Sequence, residues 1–222
     1  MKTAPPEAVL FDLDGTLIDS IPLILESFRH TLREHLGCVV PDEVLIKGIG
    51  TPLRVQLGRY TDDPALVETM FHAYRAHNRT HHDVLLRPFP AVNAAVLRLR
   101  RAGVPMGVVT SKARDAALYG LELCGLTACF PVVIALEDTD RHKPEPEPVL
   151  AGLARMGYRP EQAVYVGDST HDLHAGRAAG TRTGAVAWGP FPRTDLEACT
   201  PDWFFETPED MVPAFSGPAM GG

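Results

Sequence analysis

Val9-Leu10-Phe11-Asp12-Leu13-Asp14-Gly15-Thr16-Leu17 sets two carboxylates two residues apart, directly after an apolar run and on a glycine turn. A short apolar run closed by a turn reads as a buried strand. A strand of this kind brings Asp12 to the sheet edge, where open α/β proteins gather their ligands. Side chains two apart on extended backbone share a face, so Asp12 and Asp14 can act on one substrate. One can attack as a nucleophile while the other gives or takes a proton, provided their environments push the two pKa values apart. The same D-x-D-G tetrad also reads as part of a calcium loop or as an ordinary acidic turn. The calcium reading lacks its parts, because an EF-hand needs further spaced ligands and a glutamate at the twelfth position, and Thr16-Leu17-Ile18 cannot coordinate a hard cation in that register.

Working outward, short apolar runs recur at 8–11, 105–109, 131–135, 163–166 and 183–187, each closing on a polar or glycine-rich turn. They predict buried parallel strands. Between them lie helical patterns, such as 92–101 with Val92, Val96 and Leu99 on one face and 146–156 with Val149, Leu150 and Leu153 on one face. Gly103 and Gly157 stand where helix C-caps belong. Strand and helix in alternation predict a doubly wound, mainly parallel α/β sheet. The stretch 19–85 breaks this rhythm with helix-like patterns alone, opened by Ser20 and Pro22, by Pro41-Asp42, by Pro52 and by Pro64. It reads as an all-helical cap inserted into a core made of 1–18 and 86–222, leaving the sheet directly after the two carboxylates and well placed to close over them. The end of the chain, 208–222, is rich in Pro and Gly and is expected to be a loosely held tail.

The 222 residues, 45% of them hydrophobic, suffice for one sizeable core or for a core plus a small inserted domain. No apolar stretch reaches the length of a membrane span and the N-terminus carries no hydrophobic signal segment, so a cytoplasmic protein without a membrane partner is expected. Cys38, Cys124, Cys129 and Cys199 form no C-x-x-C pair, which argues for buried thiols over a zinc or redox motif. A net charge of −7 argues against a nucleic-acid partner, while a small anion remains compatible if a metal and a few basic residues supply local positive charge.

Three further signals fall where a doubly wound sheet delivers them to the edge that holds Asp12. Val108-Val109-Thr110-Ser111-Lys112 ends a strand with hydroxyls. Arg141-His142-Lys143-Pro144-Glu145-Pro146 offers a lysine set before prolines, and Val164-Tyr165-Val166-Gly167-Asp168-Ser169-Thr170-His171-Asp172 ends a strand with two more acids. Singly these read equally well as a capping hydroxyl, a surface lysine and a helix N-cap pair. Together they supply what phosphoryl transfer demands: a nucleophile, an acid, metal ligands and donors for the equatorial oxygens.

In order and spacing the four segments resemble the motifs of the haloacid dehalogenase superfamily, specifically its phosphatases with a helical cap of the C1 type, and the resemblance covers nearly the whole chain. It implies that Asp12 attacks phosphorus to give an aspartyl-phosphate, stays ionised, and is neutralised by Lys143. Asp14 then protonates the leaving group and later activates water. It further implies an Mg2+ ion held by the Asp12 carboxylate, the Asp14 carbonyl and Asp168, with Asp172 nearby, and a phosphate oxygen bound by Thr110 with help from the backbone around Leu13, Asp14 and Ser111. Dehalogenases of the superfamily lack an acid at the position of Asp14, and a halide leaves without a proton, so phosphate esters or anhydrides are the expected substrates.

Substrate choice falls to the cap, where Arg54, in Gly48-Ile49-Gly50-Thr51-Pro52-Leu53-Arg54, can reach an anionic part of the substrate or simply face solvent. His77 and His81 share a helix face but lack a third ligand. The stretches 74–83, 110–114 and 142–148 are similar to the bacterial pyrophosphatase branch of the superfamily, with the phosphoglycolate phosphatase branch close behind. The cap loop at Thr51-Pro52-Leu53-Arg54 departs from the pyrophosphatase pattern. The expectation is a small phosphorylated anion or pyrophosphate as partner and a monomer or homodimer as the assembly. The alternatives are a phosphomutase of the same superfamily, which would keep its phospho-aspartate for transfer to a sugar, and a non-catalytic regulatory protein on this fold.

Overall fold

The computed structural model describes residues 4–216. Six strands form one parallel sheet: β1 (Ala8–Phe11), β4 (Met106–Val109), β5 (Val132–Ile134), β6 (Ala163–Gly167), β7 (Arg182–Val186) and β8 (Trp203–Phe205), in the order β5-β4-β1-β6-β7-β8. Two short strands, β2 (Ile18–Asp19) and β3 (Arg87–Pro88), pair antiparallel beside it. From β1 the chain builds outward first to β4 and β5 and then returns to β6, so the order reverses at β1. Such a reversal opens a crevice at the carboxyl ends of the strands, and Asp12, Thr110 and Asp168 are the residues just past β1, β4 and β6.

The alternation along β1 explains how the sheet is covered. Val9 and Phe11 enter one apolar cluster with Val92, Val96 and Leu99 of α5 (Pro90–Arg101), while Ala8 and Leu10 enter another with Val149 and Leu153 of α7 (Glu147–Met156). Side chains of a strand point alternately to its two faces, and a sheet buried on both faces needs the continuous apolar runs seen here. Helices α6 (Arg114–Leu123), α8 (Thr170–Ala179) and α9 (Arg193–Ala198) complete the layers. Gly157 ends α7 in the left-handed conformation, φ 79°, where a side chain would be strained. Leu150 departs from its expected place: it is 40% exposed, one position off the face that Val149 and Leu153 bury.

Between β2 and β3 the chain is helical: α1 (Ile21–Leu36), α2 (Asp42–Ile46), α3 (Leu53–Leu57) and α4 (Pro64–Leu85). Ile24, Phe28 and Leu32 of α1 pack on Met70, Phe71 and Tyr74 of α4, with the Phe28 and Tyr74 rings edge to face at 4.9 Å. The small ribbon of β2 and β3 holds together the points where the chain leaves and rejoins the sheet. Among the described residues no helix is long and apolar enough to cross a membrane.

The expected loose tail needs correction over 208–216. Helix α10 (Met211–Phe215) buries Met211, Val212 and Phe215, and the Phe215 ring meets Trp203 at 5.9 Å and Phe205 at 5.3 Å edge to face. Three apolar side chains on one short helical face outweigh the two prolines, Pro208 and Pro213. Residues 217–222 of that expected tail lie outside the described residues.

Candidate active site

The turn after β1 fixes both leading acids. The Asp12 N–H donates to Val166 O at 2.8 Å, so β6 holds the first residue past the strand, and the Gly15 N–H donates to Ile18 O at 2.9 Å to close the turn around Asp14. Gly15 has φ +82°, and a Cβ there would sit 2.8 Å from Asp168 Oδ2. Glycine is therefore required twice, for the backbone conformation and for the approach of Asp168.

Lys143 is the hub of the buried site. Its Nζ donates to Asp12 Oδ1 at 2.6 Å and to Asp172 Oδ1 at 2.6 Å, with the side chain 1% exposed. The second oxygen of Asp172 accepts from the Ser169 N–H at 3.1 Å and from Ser169 Oγ at 2.5 Å. Asp172 thus closes the capping box of α8 and binds the lysine at once. Tyr165 Oη lies 2.9 Å from Val109 O and 3.1 Å from Asp172 Oδ1, with one proton to give to the two acceptors. Asp168 Oδ1 accepts from Thr16 Oγ1 at 2.7 Å, while Asp168 Oδ2 is buried without a hydrogen-bond partner.

These contacts set the charge states. Burial pushes the Asp12 carboxyl up to about 7, against the opposing pull of Lys143. Burial also lifts Asp168 well above the carboxylate range, reinforced by the charges of Asp12 and Asp172. Burial disfavours the charge on Lys143, but the two carboxylates it touches outweigh that and raise it well above the usual lysine value. Burial thus works against the ionised form of Asp12 even with Lys143 beside it. The expectation that it stays ionised depends on a further cation.

The donor set fits such a cation. One oxygen each from Asp12, Asp168 and Asp172 lies within 4.8 Å of the others, all three residues are buried, and Asp168 Oδ2 is left unpartnered. Three acids against one lysine leave uncompensated charge in a low-dielectric site, and an all-oxygen cluster suits a hard dication such as Mg2+.

Asp14 occupies different surroundings. Its Oδ1 accepts from Ser20 Oγ at 2.6 Å and from Lys112 Nζ at 2.8 Å, and it shares with Asp12, Thr110 and Ser111 the wall of a cavity of about 620 Å³ roofed by α1, α3 and α4. Thr110 Oγ1 accepts from the Lys112 N–H at 3.1 Å, and Ser111 Oγ donates to Gly50 O at 2.7 Å, tying the end of β4 to the loop before α3. Arg54 also lines the cavity, but its guanidinium is held in two bonds of 2.8 Å by Glu68 and lies over the Phe71 ring, 3.5 Å from its centroid. His77 stacks between His30 and His81 at 4.3 and 4.1 Å. Among the described residues the acidic trio is the group of three that can hold a metal, and these histidines do not form another.

Sequence reasoning overlooked Thr16, Ser20, Lys112 and Tyr165. A phenol in an otherwise aliphatic strand was the available signal for Tyr165, since a buried hydroxyl needs a partner. Thr16 and Lys112 stood inside quoted motifs, one residue from a recognised feature.

A family model for haloacid dehalogenase-like hydrolases matches residues 9–186. The chain belongs to that family. Among curated proteins, this haloacid dehalogenase-like hydrolase is 40% identical over 204 residues to the pyrophosphatase PpaX of Anoxybacillus flavithermus, covering 92% of this chain and 94% of that one. It is 39% identical over 208 residues to the pyrophosphatase PpaX of Bacillus cereus strain AH820, covering 94% and 95%. Among solved structures, a predicted phosphoglycolate phosphatase from Haemophilus somnus superposes with a TM-score of 0.87 at 22% identity, over 95% of this chain and 98% of that chain, a likeness that speaks for the fold.

Proposed function

We propose that this haloacid dehalogenase-like phosphatase hydrolyses a small phosphate anhydride or ester, pyrophosphate first and a phosphoglycolate-type monoester second, through an aspartyl-phosphate on Asp12 and with Mg2+ as cofactor. The observation that carries the reading is the contrast between two neighbouring acids. Both line the cavity, but Asp12 is held by Lys143 within the buried acidic trio, whereas Asp14, two residues on, is held by Ser20 and Lys112. Environments that separate two carboxylates give them separate roles.

In this reading an Asp12 oxygen attacks phosphorus, the bond to the leaving oxygen breaks with its electron pair, and Asp14 donates a proton where the leaving group needs one. Water then attacks the phosphoryl group, Asp14 takes its proton, and free phosphate departs as the Asp12 carboxylate is restored. Thr110 Oγ1 and the backbone N–H groups of the β1 turn hold the phosphoryl oxygens, and Lys143 keeps the nucleophile oriented. Mg2+ bound by Asp12, the Asp14 carbonyl and Asp168, next to Asp172, would neutralise phosphoryl charge as a Lewis acid. The small helical segment acts as a cap that excludes bulk water from the cavity. Identity to two pyrophosphatases over nearly the full length of both chains supports pyrophosphate over the monoester.

The test is magnesium-dependent phosphate release from pyrophosphate, 2-phosphoglycolate, a phosphoserine peptide and sugar phosphates, with Asp12→Asn as the blank. Pyrophosphate well above the others supports the reading. Transfer of phosphate between sugar positions without release of free phosphate would replace it with a mutase.

A further inference from the structure

Lys143 serves Asp12, and the second acid has a lysine of its own. Lys112 follows Ser111 past the end of β4 and lines the same cavity as Asp12 and Asp14. Its Nζ is 2.8 Å from Asp14 Oδ1, with the side chain 11% exposed. An ammonium has three donors, and Asp14 takes one of them. A leaving-group oxygen that approaches Asp14 for a proton therefore comes within hydrogen-bond reach of Lys112.

His82, in the last turn of α4, contributes an independent observation. It is 3% exposed, lies on the wall of the same cavity, and neither of its ring nitrogens has a hydrogen-bond partner. Nδ1 is 3.8 Å from Asp83 Oδ1, beyond bonding distance. The ring is held from α6, where Tyr119 lies against it with centroids 4.6 Å apart and donates its hydroxyl to Asp83 Oδ1 at 2.6 Å. Burial, helped by the charge of Lys112, holds the imidazole neutral, so it keeps one donor and one acceptor in reserve. Buried polar atoms in native proteins are nearly always satisfied, and since both ring nitrogens are shut off from solvent, a ligand in the cavity would become their partner once the ring turns toward it. Among the other basic groups, Lys143 holds Asp12 and Asp172, Arg54 holds Glu68 and Arg75 holds Asp115 at 2.6 Å, while the exposed Arg79, also on the cavity wall, reaches Asp115 only at 3.6 Å.

We propose that Lys112 and His82 form a subsite for the departing half of the substrate, built for a leaving group that carries oxyanions, a second phosphoryl group, in preference to an apolar alcohol. The inference rests on the reading of Asp12 as nucleophile and Asp14 as acid and base. When the bond from phosphorus to the leaving oxygen breaks, its electron pair stays on that oxygen, and a partly buried ammonium beside Asp14 stands where the charge develops. A second phosphoryl group can also accept from His82, whereas an apolar alcohol leaves that ring unpaired.

The experiment compares kcat/KM for pyrophosphate with kcat/KM for p-nitrophenyl phosphate in the wild type, Lys112→Met, Lys112→Arg and His82→Phe. The loss of one charge-assisted hydrogen bond predicts that Lys112→Met lowers the ratio of pyrophosphate to aryl phosphate by roughly 10-fold to 100-fold, with partial recovery in Lys112→Arg. His82→Phe should lower the ratio by about 3-fold to 10-fold, mostly through KM. An equal loss on both substrates would mean that Lys112 only orients Asp14, and an unchanged ratio would remove it from the site; either result overturns the subsite. Calorimetric binding of inorganic pyrophosphate to Asp12→Asn, with and without Lys112→Met, separates this inference from the hydrolytic reading. Absence of turnover on every substrate counts against hydrolysis, whereas equal or undetectable pyrophosphate affinity in the two proteins counts against the subsite. Lys112→Gln replaces the methionine variant if thermal melting shows that the latter is unfolded.

Discussion

Replacing Lys143 by methionine keeps the volume of the side chain and removes its charge from between two acids. In the metal-free protein this breaks two buried bonds of 2.6 Å and leaves Asp12 and Asp172, 4% and 1% exposed, facing each other and Asp168 without a counter-ion. Stripping one partner from a buried ion pair costs about 3–5 kcal/mol, which for a domain of this size lowers Tm by roughly 6–20 °C. The loss depends on pH in a defined direction. Asp12 already titrates near 7 in the fold, against 3.8 for the free side chain. Between those values the folded state binds more protons than the unfolded state, so the contribution of Asp12 to stability is present below about 4 and is lost as pH rises through 7. Without Lys143 the carboxyl shifts further up, so the deficit relative to the wild type grows as pH rises from about 7 toward the shifted value. Urea denaturation in EDTA near pH 5 and near pH 8 measures this, with the larger deficit expected at the higher pH. A deficit below about 1 kcal/mol at the higher pH, or one that is equal at both, would refute the picture of Lys143 as the compensating charge of the buried trio.

Asp12→Asn is expected to reduce phosphate release by at least about 1000-fold while leaving the melting curve cooperative; full activity, after controls for deamidation, would exclude the covalent route. Asp168→Asn should raise the Mg2+ concentration needed for half-maximal activity by more than about 10-fold, and turnover that persists in EDTA would detach the acidic trio from the chemistry. Phe215→Ala should cost about 3–5 kcal/mol in denaturant unfolding; a change under about 0.5 kcal/mol would restore 208–216 to the status of a tail.

The main architecture was readable because its signals are local. Continuous apolar runs marked β1, β4, β5, β6 and β7, and a proline or hydroxyl at each helix start marked α1 to α4. The elements that escaped reading are those whose existence depends on distant partners. Strand β8 is three residues long and is held by pairing to β7, and β2 and β3 are two residues each, one of them containing Pro88. Helix α10 forms in a Pro-containing segment because Trp203 and Phe205 receive Phe215. In the site, Asp12, Lys143, Asp168 and Asp172 converge as the motif order suggested, since strand ends impose their placement. The links from Thr16 to Asp168, from Lys112 to Asp14 and from Tyr165 to Asp172 depend on side-chain reach across the crevice, which spacing along the chain does not encode. Arg54 was open to either reaching the substrate or facing solvent, and the structure puts it half-exposed on α3, engaged by Glu68 on α4.

The phenol of Tyr165 joins parts that sequence presents as separate. Through Val109 O it reaches the residue that precedes Thr110, and through Asp172 it reaches Lys143 and Asp12. The strand end that carries Thr110 and the lysine that holds the carboxylate proposed to attack thus lie on either side of one phenol, whose single proton serves two acceptors. Loss of the tyrosine hydroxyl would take away the buried donor that stands between the end of β4 and the acid that binds Lys143.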